Sequence, residues 1–388
     1  MNRAFLILNA GSSSLKFALY EASELKLLCR GNIANLGESA KLDIGHELTP
    51  CTIGWGAPPE KGSHEDIVAW LIDVLRGASE LRVVGAGHRI VHGGRDFEAP
   101  LLLDDATLGK LDRLTLLAPA HEPHNLAGVR AIAKAWPRLP QVGCFDTAFH
   151  RSQPRLAQLF GLPHALTDAG MLRYGFHGLS YEYIASVLPD IAGGRAGGRV
   201  VVAHLGNGAS LCALKDRQSI ATTMGYTAID GLIMSTRCGA IDPGLVLQLV
   251  RERGCEPVAD LLNNRSGLLG VSGISGDVRV LEASEDPRAK EALDLFAYRI
   301  LREAGSLIAA LGGLDVLVFT AGIGEHSAKL RRRICEGLAF TGARLDPARN
   351  DAAQTKIHAD GSSVDLLVIP TNEELPIARA MQRLVGNP

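Results

Sequence analysis

The sequence lacks an excess of either charge sign. Its 40 Lys and Arg residues nearly balance its 42 Asp and Glu residues, which leaves a net charge of −2. Because both signs are spread along the chain, charge favours neither nucleic acid nor an anionic membrane as a partner. The densest basic run, Lys329 with residues 331–333, is expected to be the solvated face of a helix.

A cysteine framework and a long apolar run are also lacking. The seven cysteines are scattered, odd in number and free of any CxxC pair. This excludes a disulfide framework and a cysteine-ligated metal, and it favours a reducing compartment, so we expect a cytoplasmic protein. The N-terminal apolar run is too short for a signal peptide. The most apolar later stretch, 307–324, is cut by Gly312, Gly313 and Asp315, which predicts helix, turn and strand instead of a membrane span.

The length and composition indicate an ordinary folded protein with more than one domain. At 388 residues the chain exceeds what one hydrophobic core usually supports, so two domains are expected. Hydrophobic residues make up 46% and charged residues 21%. The 43 glycines cluster in short loops after apolar runs, as in enzymes whose backbone approaches a ligand closely.

Short β-rich apolar runs alternate with longer helical ones, which predicts an α/β architecture. The predicted strands are 4–8, 16–20, 82–85, 141–145, 200–204, 210–214, 316–320 and 366–369. The predicted helices include 64–75, 123–136, 181–188, 245–253 and 287–311.

Two segments about half a chain apart resemble each other. Residues 5–15 and 201–211 both consist of an apolar strand, a turn rich in Gly, Ser and Asn, and the start of another strand. This echo predicts a duplicated fold whose halves face each other across a cleft. Chance similarity between two glycine turns is the alternative.

The first of these turns, 9–16, carries three consecutive serines and ends at Lys16. Its hydroxyl groups and backbone N–H groups can bind phosphate oxygens, and Lys16 adds a positive charge. It is not a Walker sequence, because a strand-like segment and not a helix follows the lysine. The turn alone fits a phosphate cradle and an ordinary polar hairpin equally well.

Two GxG turns, 204–208 and 322–326, also follow apolar strands. Such turns are weak signals singly, because glycine also closes tight turns without binding anything. Three glycine-containing loops at strand ends are more informative, since ligands of open α/β sheets bind outside the carboxyl ends of strands.

Four charged residues stand in loops that suit anion or metal binding. Arg89 and Arg237 lie among small residues, where a guanidinium can bind a carboxylate or a phosphate through two hydrogen bonds, or form an ordinary surface ion pair. Asp146 and Glu373 follow strand ends, where a nucleotide-bound magnesium ion would need hard oxygen ligands. Glu373 also suits the N-terminus of the helix predicted after it.

Histidines cluster in two segments, around His121 and around His177. Neither has zinc-ligand spacing, so a metal–histidine site is rejected. A histidine there can donate a hydrogen bond to a phosphoryl oxygen, although most lone histidines have no such role.

Taken together, these stretches resemble the acetate kinase family, within the acetate and sugar kinase/heat-shock/actin superfamily. The resemblance runs from Leu6 to near the C-terminus and keeps the motifs in family order. The motifs are 9–17 (NAGSSSLKF), 88–94 (HRIVHGG), 117–125 (LAPAHEPHN), 145–150 (FDTAFH), 173–178 (RYGFHG), 204–208 (HLGNG), 235–243 (STRCGAIDP), 319–325 (FTAGIGE) and 371–375 (TNEEL).

The resemblance implies two duplicated actin-like, ribonuclease H-like domains with a cleft between them. The first would comprise 1–147 plus 374–388, on the acid and phosphate side, and the second 148–373, on the nucleotide side. It implies reversible, ATP-dependent phosphorylation of acetate to acetyl phosphate by direct in-line transfer. It further implies Mg²⁺, with Mn²⁺ as a substitute, and a homodimer.

Family roles are carried over onto matching positions. Catalytic roles fall on Asp146, His177, Arg237 and His121. Arg89 would hold the acid's carboxylate, and its apolar pocket would comprise Val91, Ala120, Phe176 and Ala228. ATP and its phosphates would contact Ser12, Ser14, Lys16, His204, Leu205, Gly206, Asn207, Gly208, Asp277, Val278, Arg279, Gly322, Ile323, Gly324, Glu325 and His326. Asn9 and Glu373 would position the metal ion.

The catalytic role that the resemblance gives to Asp146 needs a physical qualification. A carboxylic acid with a pKa near about 4–5 is already ionised at pH 7, so the nucleophile needs no general base. Asp146 is therefore expected to orient metal, water or acceptor and not to remove a proton.

The chain departs from the family at four positions. The family commonly has Asn at His326 and at Glu122, and often has Leu and Pro at Ala120 and Ala228. The two alanines predict a roomier acid pocket that accepts propionate. Propionate and butyrate kinases are therefore the enzymatic rivals. An actin-like or chaperone-like ATP-binding module is the non-enzymatic one, and the acceptor-site residues argue against it.

Overall fold

A computed structural model describes residues 2–11, 14–45, 53–119 and 121–386. Ser12 and Ala120, two of the predicted site residues, lie outside this described part. The chain divides into two compact units. The first unit comprises Met1–Phe149 and Asn372–Pro388, and the second unit comprises His150–Thr371.

The described residues form twelve strands and fifteen α-helices. The strands are β1 (Asn2–Ala10), β2 (Ser14–Glu21), β3 (Leu27–Ala34), β4 (Lys41–Gly45), β5 (Leu81–Ile90), β6 (Leu101–Leu102), β7 (Gln141–Phe145), β8 (Val200–Leu205), β9 (Ala209–Lys215), β10 (Gln218–Thr222), β11 (Val316–Thr320) and β12 (Asp365–Val368). The helices are α1 (His64–Gly77), α2 (Asp105–Asp112), α3 (Glu122–Ala135), α4 (Arg155–Gln158), α5 (His164–Asp168), α6 (Gly178–Ala192), α7 (Pro243–Arg253), α8 (Cys255–Asn264), α9 (Gly267–Ser272), α10 (Val278–Ala283), α11 (Pro287–Leu311), α12 (Ala321–His326), α13 (Ala328–Gly337), α14 (Pro347–Asp351) and α15 (Glu374–Val385).

Each unit contains one mixed sheet, and the two sheets share a topology. The first has the order β4-β3-β2-β1-β5-β7-β6 and the second β10-β9-β8-β11-β12. In both, three antiparallel strands are followed by two strands parallel to the third, as β3-β2-β1-β5-β7 and β10-β9-β8-β11-β12. This repeated order confirms the duplication predicted from the echo between the first and second glycine turns.

The central strands are buried and consist mostly of apolar residues. Every residue of β8 and β11 is buried, as expected for strands covered on both faces. Helix α11 has the predicted bounds, and it buries Phe296, Ile300 and Leu307 at spacings typical of one helix face. Asp286 caps its first turn by accepting a hydrogen bond from the Arg288 backbone, and Gly312 ends it with φ 72°.

The last helix, α15, belongs to the first unit and packs against β5. A Cβ atom on Gly85 would lie 2.5 Å from Met381 Cε, and one on Gly87 would lie 2.5 Å from Ile377 Cγ2. The two glycines therefore leave the space that the helix fills. Among the described residues, none of the helices combines the length and apolarity that a membrane crossing requires.

Three local expectations were wrong. Strand β5 extends to Ile90, so Arg89 lies in a strand and not in a loop after it. The 322–326 segment is part of α12, a short helix that follows β11 directly, and not an open turn. Strands β3, β4, β6 and β10 had no counterpart among the predicted ones, because their apolar residues are few or interrupted by polar ones.

The basic run on α13 is not wholly solvated. Lys329 is exposed as expected, but Arg331 is only 1% exposed. Its guanidinium donates to the carbonyls of Gly324 (2.9 Å) and Glu325 (2.7 Å), and to Asn350 through Oδ1 (2.8 Å) and the backbone carbonyl (2.7 Å). Burial lowers the pKa of Arg331. This arginine satisfies the carbonyls at the end of α12, which a local charge pattern does not show.

Candidate active site

The carboxyl ends of three parallel strands bring the acid-side residues of the first unit together. Leu8 of β1 pairs with His88 of β5, so the next residues, Asn9 and Arg89, are neighbours. Strand β7 continues the sheet, and the Asp146 backbone that follows it donates to the carbonyl of Ile90 (3.0 Å). Adjacent parallel strands end at the same sheet edge, which is why residues so distant in sequence meet there.

Arg89 and Asp146 form a two-pronged ion pair. Arg89 Nε donates to Asp146 Oδ1 at 2.9 Å and Nη2 donates to Oδ2 at 2.5 Å. A third donor, Nη1, reaches Asn9 Oδ1 at 3.2 Å. The Asp146 side chain is 2% exposed and that of Arg89 is 20% exposed. Burial by itself lowers the pKa of Arg89, but the charges of Asp146, Glu373 and Glu374 outweigh it and the net shift is upward.

The other metal-side and phosphate-side residues surround this pair or the β1–β2 turn. Glu373 is the N-cap residue of α15, and its charge acts on Arg89. Lys16 is exposed on β2, directly opposite Asn9. The Gly11 backbone donates to the carbonyl of Ser14 at 2.8 Å, which confirms that the turn closes a hairpin. Its role in binding phosphate stays a prediction.

Glu122, in the first turn of α3, is a fully buried carboxyl group close to this site. Its Oε2 accepts a hydrogen bond from the His92 backbone at 3.2 Å. Its Oε1 is buried and has no hydrogen-bond partner among the described residues. Burial, with a smaller contribution from the charges of Asp146 and Asp112, raises the pKa of Glu122 to about 8. Burial lowers the pKa of His92 to about 4, so that ring is neutral at pH 7.

Buried amide and imidazole groups hold the backbone around the first-unit site. Asn125 accepts from the Val91 backbone at 2.9 Å and donates to the carbonyl of Ala10 at 2.6 Å, which links the ends of β5 and β1. His64 Nε2 donates to the carbonyl of Gly11 at 2.6 Å, and its ring stacks on His124 with centroids 4.5 Å apart. Predicted His121 is the half-buried N-cap residue of α3.

In the second unit, His177 and His204 lie face to face. Their ring centroids are 4.1 Å apart and the planes differ by 20°. His204 is the last residue but one of strand β8, next to the β8–β9 turn, and His177 caps α6 with a left-handed backbone, φ 59°. His204 Nδ1 is 2.8 Å from Ser180 Oγ, which is 2.8 Å from Thr371 Oγ1. His177 Nδ1 is 2.8 Å from Ser210 Oγ.

Arg237 lies in a loop that packs against the same turn. Its Nη1 donates to the carbonyl of Ala228 at 3.2 Å. The backbone of neighbouring Ser235 donates to the carbonyl of Asn207 at 3.2 Å, and its hydroxyl donates to the carbonyl of Gly276 at 2.6 Å. The predicted turn 204–208, the arginine loop and the segment before Asp277 are therefore contiguous.

Gly208 leaves an open position between two donors. A Cβ atom there would lie 3.1 Å from His177 Nε2 and 3.7 Å from Arg237 Nη1. A side chain would fill the space that both groups border. Two N–H-bearing groups bordering one space can bind one anionic oxygen.

The remaining nucleotide-side residues are placed around this turn or beyond it. Gly206 donates through its backbone to the carbonyl of Gly208 at 3.1 Å, and a Cβ on Gly324 of α12 would touch Leu205. Glu325 accepts from the Thr371 backbone at 3.1 Å. Gly322 and His326 are exposed at the two ends of α12, with Ile323 half-buried between them.

Asp277 caps α10 and pairs with Arg279 at 2.6 Å, but the arginine side chain is 87% exposed. Val278 between them is buried. This surface ion pair contributes little to stability. The contact of these three residues with ATP stays a prediction.

The predicted acid-pocket residues are distributed over both units. Val91 is 8% exposed in the first unit, and Phe176 is 2% exposed in the second. Ala228 is half-buried in the second unit. Their roles as one pocket stay a prediction.

Sequence reasoning gave no role to Asn125, Tyr181, Ser210, Ser180 or Arg331. Two of these had a usable signal. Asn125 stands inside a quoted motif, and Tyr181 begins the predicted helix 181–188, four residues after His177. Among the described residues, no group of three or more His, Cys, Asp or Glu side chains is arranged to hold a metal ion by itself.

Comparison with known proteins identifies the family. The family model described as the Acetokinase family matches residues 4–379. An acetate kinase of Rhodopseudomonas palustris is 51% identical over 394 residues, covering 99% of each chain. A propionate kinase structure from Francisella tularensis has a TM-score of 0.91 at 36% identity, covering 98% of this chain and 100% of that one. An acetate kinase structure from Porphyromonas gingivalis has a TM-score of 0.88 at 34% identity, covering 99% and 100%.

These likenesses confirm the predicted family, the two-domain actin-like fold class and the reaction class. The family is one of phosphotransferases that use ATP or ADP and a short carboxylic acid as acceptor. By the match over nearly its whole length, the chain belongs to the acetokinase family.

Proposed function

We propose that this protein catalyses the reversible transfer of the γ-phosphoryl group of ATP to acetate, forming acetyl phosphate by direct in-line displacement. The observation that carries the proposal is the set of hydrogen bonds that the Arg89 guanidinium makes. The described contacts use three of its five N–H donors, on Asp146 and Asn9, which leaves two donors at the sheet edge. A guanidinium held in this way is prepared to bind the carboxylate of an acid.

The second unit carries groups that suit the negative charge of the transferred phosphoryl group. Phosphoryl transfer depends on positioning and on neutralising the equatorial oxygens of the transferred group. His177 Nε2 and Arg237 Nη1 border the open position at Gly208, which suits one such oxygen. The second unit is thereby proposed as the nucleotide side and the first as the acid side.

Asp146 acts in this scheme as a positioning group. Both of its oxygens accept hydrogen bonds from Arg89, and it is almost fully buried. The acid substrate is ionised at neutral pH, so no proton has to be removed from it. His121 is proposed to assist from the N-cap of α3.

Magnesium fits the residues at the same edge. The Asn9 amide oxygen and the Glu373 carboxylate are hard oxygen ligands of the kind Mg²⁺ prefers, and Mn²⁺ accepts the same ligands. The acidic surroundings of Arg89, with Asp146, Glu373 and Glu374 acting on it, favour a bound cation. When bound with ATP, the ion would neutralise charge on the phosphates. Ser14, Lys16, Asp277, Arg279 and His326 are proposed ATP contacts.

We further propose a homodimer in the cytoplasm. Helix α7 has no buried residue within the described part of the chain, and its Leu245 and Leu247 are 47% and 56% exposed. Exposed leucines on a helix with no buried residue suit contact with a second subunit. Cys212, Cys238, Cys255 and Cys335 form no disulfide, in keeping with a reducing compartment.

The test is an acid-specificity series. ADP release would be followed with ATP, magnesium and no acid, acetate, propionate or butyrate, and kcat/KM compared. We expect turnover only with an added acid, with acetate and propionate both accepted. Small Ala228, next to Arg237, supports propionate as the second candidate substrate. One methylene is worth about 1–3 kcal/mol in such a pocket, or roughly 10- to 200-fold. ATP hydrolysis that ignores the acid would refute the proposal. A steep loss at propionate would refute its second part.

A further inference from the structure

A buried chain of hydrogen bonds runs from Tyr181 to His177. The Tyr181 hydroxyl is 2.5 Å from Ser210 Oγ, and Ser210 Oγ is 2.8 Å from His177 Nδ1. Tyr181 and Ser210 are both 0% exposed. Tyr181 lies on α6, Ser210 lies on β9, and His177 caps α6, so regular elements hold all three.

The direction of these hydrogen bonds follows from the number of protons. If Tyr181 donates to Ser210, the serine proton is free for His177 Nδ1, and each of the three groups is satisfied. If the chain runs the other way, the phenol proton is left without an acceptor among the described residues. If tyrosine and histidine both donate to Ser210, the serine proton is stranded instead. Because a buried donor without an acceptor costs free energy, the first arrangement is favoured.

Two further features agree with this direction. Burial, then the nearby Cys212, raise the pKa of Tyr181 well above its ordinary value, so the phenol keeps the proton that it donates. The stacked rings of His177 and His204 are 4.1 Å apart, which disfavours a positive charge on both.

With Nδ1 accepting from Ser210, a neutral His177 carries its proton on Nε2. Nε2 is the atom that borders the open position at Gly208, opposite Arg237 Nη1. The ring therefore offers an N–H group at that position without needing a second positive charge. An accepting nitrogen there would instead repel an anionic oxygen.

We propose that Tyr181 is a positioning residue for phosphoryl transfer: through Ser210 it fixes His177 in the Nε2–H form, so that His177 and Arg237 together donate to the transferred phosphoryl group. This inference rests on the proposed function. Tyr181 would not touch the substrate itself, and it would act by fixing the tautomer of His177, which does.

The tautomer can be read directly by two-bond ¹H–¹⁵N NMR of the histidine rings, with His177→Gln identifying the His177 signals. The unaltered protein should show the proton on Nε2. Tyr181→Phe should give a mixture of tautomers and lower kcat roughly tenfold, with KM for acid and ATP changed less than about twofold. Ser210→Ala should lower kcat at least as much.

Tyr174→Phe is the matched control. Tyr174 is also buried in the second unit, and its hydroxyl donates to the carbonyl of Gly170 at 2.7 Å, outside the chain that leads to His177. It should leave the His177 tautomer and kcat unchanged. If both tyrosine variants lost kcat equally with the tautomer unchanged, the role of Tyr181 would be structural only and the proposal would be wrong.

An Nδ1–H tautomer in the unaltered protein would overturn the proposal without any variant, so it stays testable if Tyr181→Phe does not fold. The NMR result also stands apart from the proposed function, because it needs no turnover. Absence of acid-dependent ADP release from the unaltered protein would refute the proposed reaction, and the tautomer would still test the hydrogen-bond chain.

Discussion

Replacing Glu122 with Gln is expected to stabilise the protein increasingly as the pH rises from about 4.5 to 8, measured as the free energy of unfolding of the variant minus that of the unaltered protein. The carboxyl group is 0% exposed, and one of its oxygens has no hydrogen-bond partner among the described residues. Ionising it in that position is costly. Glutamine has nearly the same shape and cannot ionise.

The magnitude follows from the two pKa values. In the unfolded chain the carboxyl has its ordinary pKa of 4.5, and in the folded protein burial raises the pKa to about 8. Below 4.5 the group is neutral in both states and costs nothing. As the pH rises from 4.5 to 8, only the unfolded chain loses the proton, so the folded state is disfavoured by about 1.4 kcal/mol per pH unit. At pH 7 this amounts to about 3 kcal/mol, and above pH 8 the loss is complete.

The assay is urea unfolding of both proteins at several pH values between 4.5 and 8.5, with the difference in free energy plotted against pH. A buried amide lacking a partner adds an offset, but that offset is independent of pH. Glu291→Gln on α11, which removes an exposed carboxylate, is the control for the loss of one charge and should give a nearly level line. A level line for Glu122→Gln would refute the reasoning, because it would mean that burial does not perturb this group.

Three further substitutions test the hydrogen bonds around the candidate site. Arg331→Met removes the donors that satisfy the carbonyls of α12 and should raise KM for ATP about tenfold or more, whereas Lys329→Met on the exposed face of α13 should not. Asp146→Asn weakens the two hydrogen bonds that hold Arg89, so it should raise KM for acetate roughly 10- to 100-fold and lower kcat. Near-normal kinetics of this variant would show that Asp146 does not position Arg89. Asn125→Ala leaves two buried backbone groups unpaired and should cost about 2–4 kcal/mol of unfolding free energy in urea, a loss that a merely peripheral amide would not produce.

The repeated topology was predictable because the strands that begin each unit carry a visible local pattern. Both strands contain an apolar run, 4–8 in β1 and 200–203 in β8, and a glycine-containing turn follows each, so the sequence pattern alone located them. Strand β5 was harder, because Gly85, Gly87 and the polar residues near its end interrupt the apolar pattern.

The residues that sequence reasoning missed or misjudged owe their positions to distant partners. Arg331 has the local pattern of an exposed helix residue, but Asn350, 19 positions later, and the carbonyls of α12 bury it. Glu122 stands in a polar motif, but it is fully buried, and its carboxyl group accepts a hydrogen bond from the backbone of His92, 30 positions earlier. Local periodicity carries no information about such contacts.

The placement of α15 has a consequence for synthesis on the ribosome. The helix that covers β5 is encoded after all of the second unit, so roughly 220 residues must be translated between the first unit's strands and its last helix. At about 5–20 residues per second, the surface around Gly85 and Gly87 stays uncovered for roughly 10–45 seconds. Translation of the second unit finishes before that of the first, so the second unit can fold earlier although its synthesis begins later. The nascent chain is therefore most vulnerable to aggregation and to chaperone binding at the sheet that is synthesised first, that of the first unit.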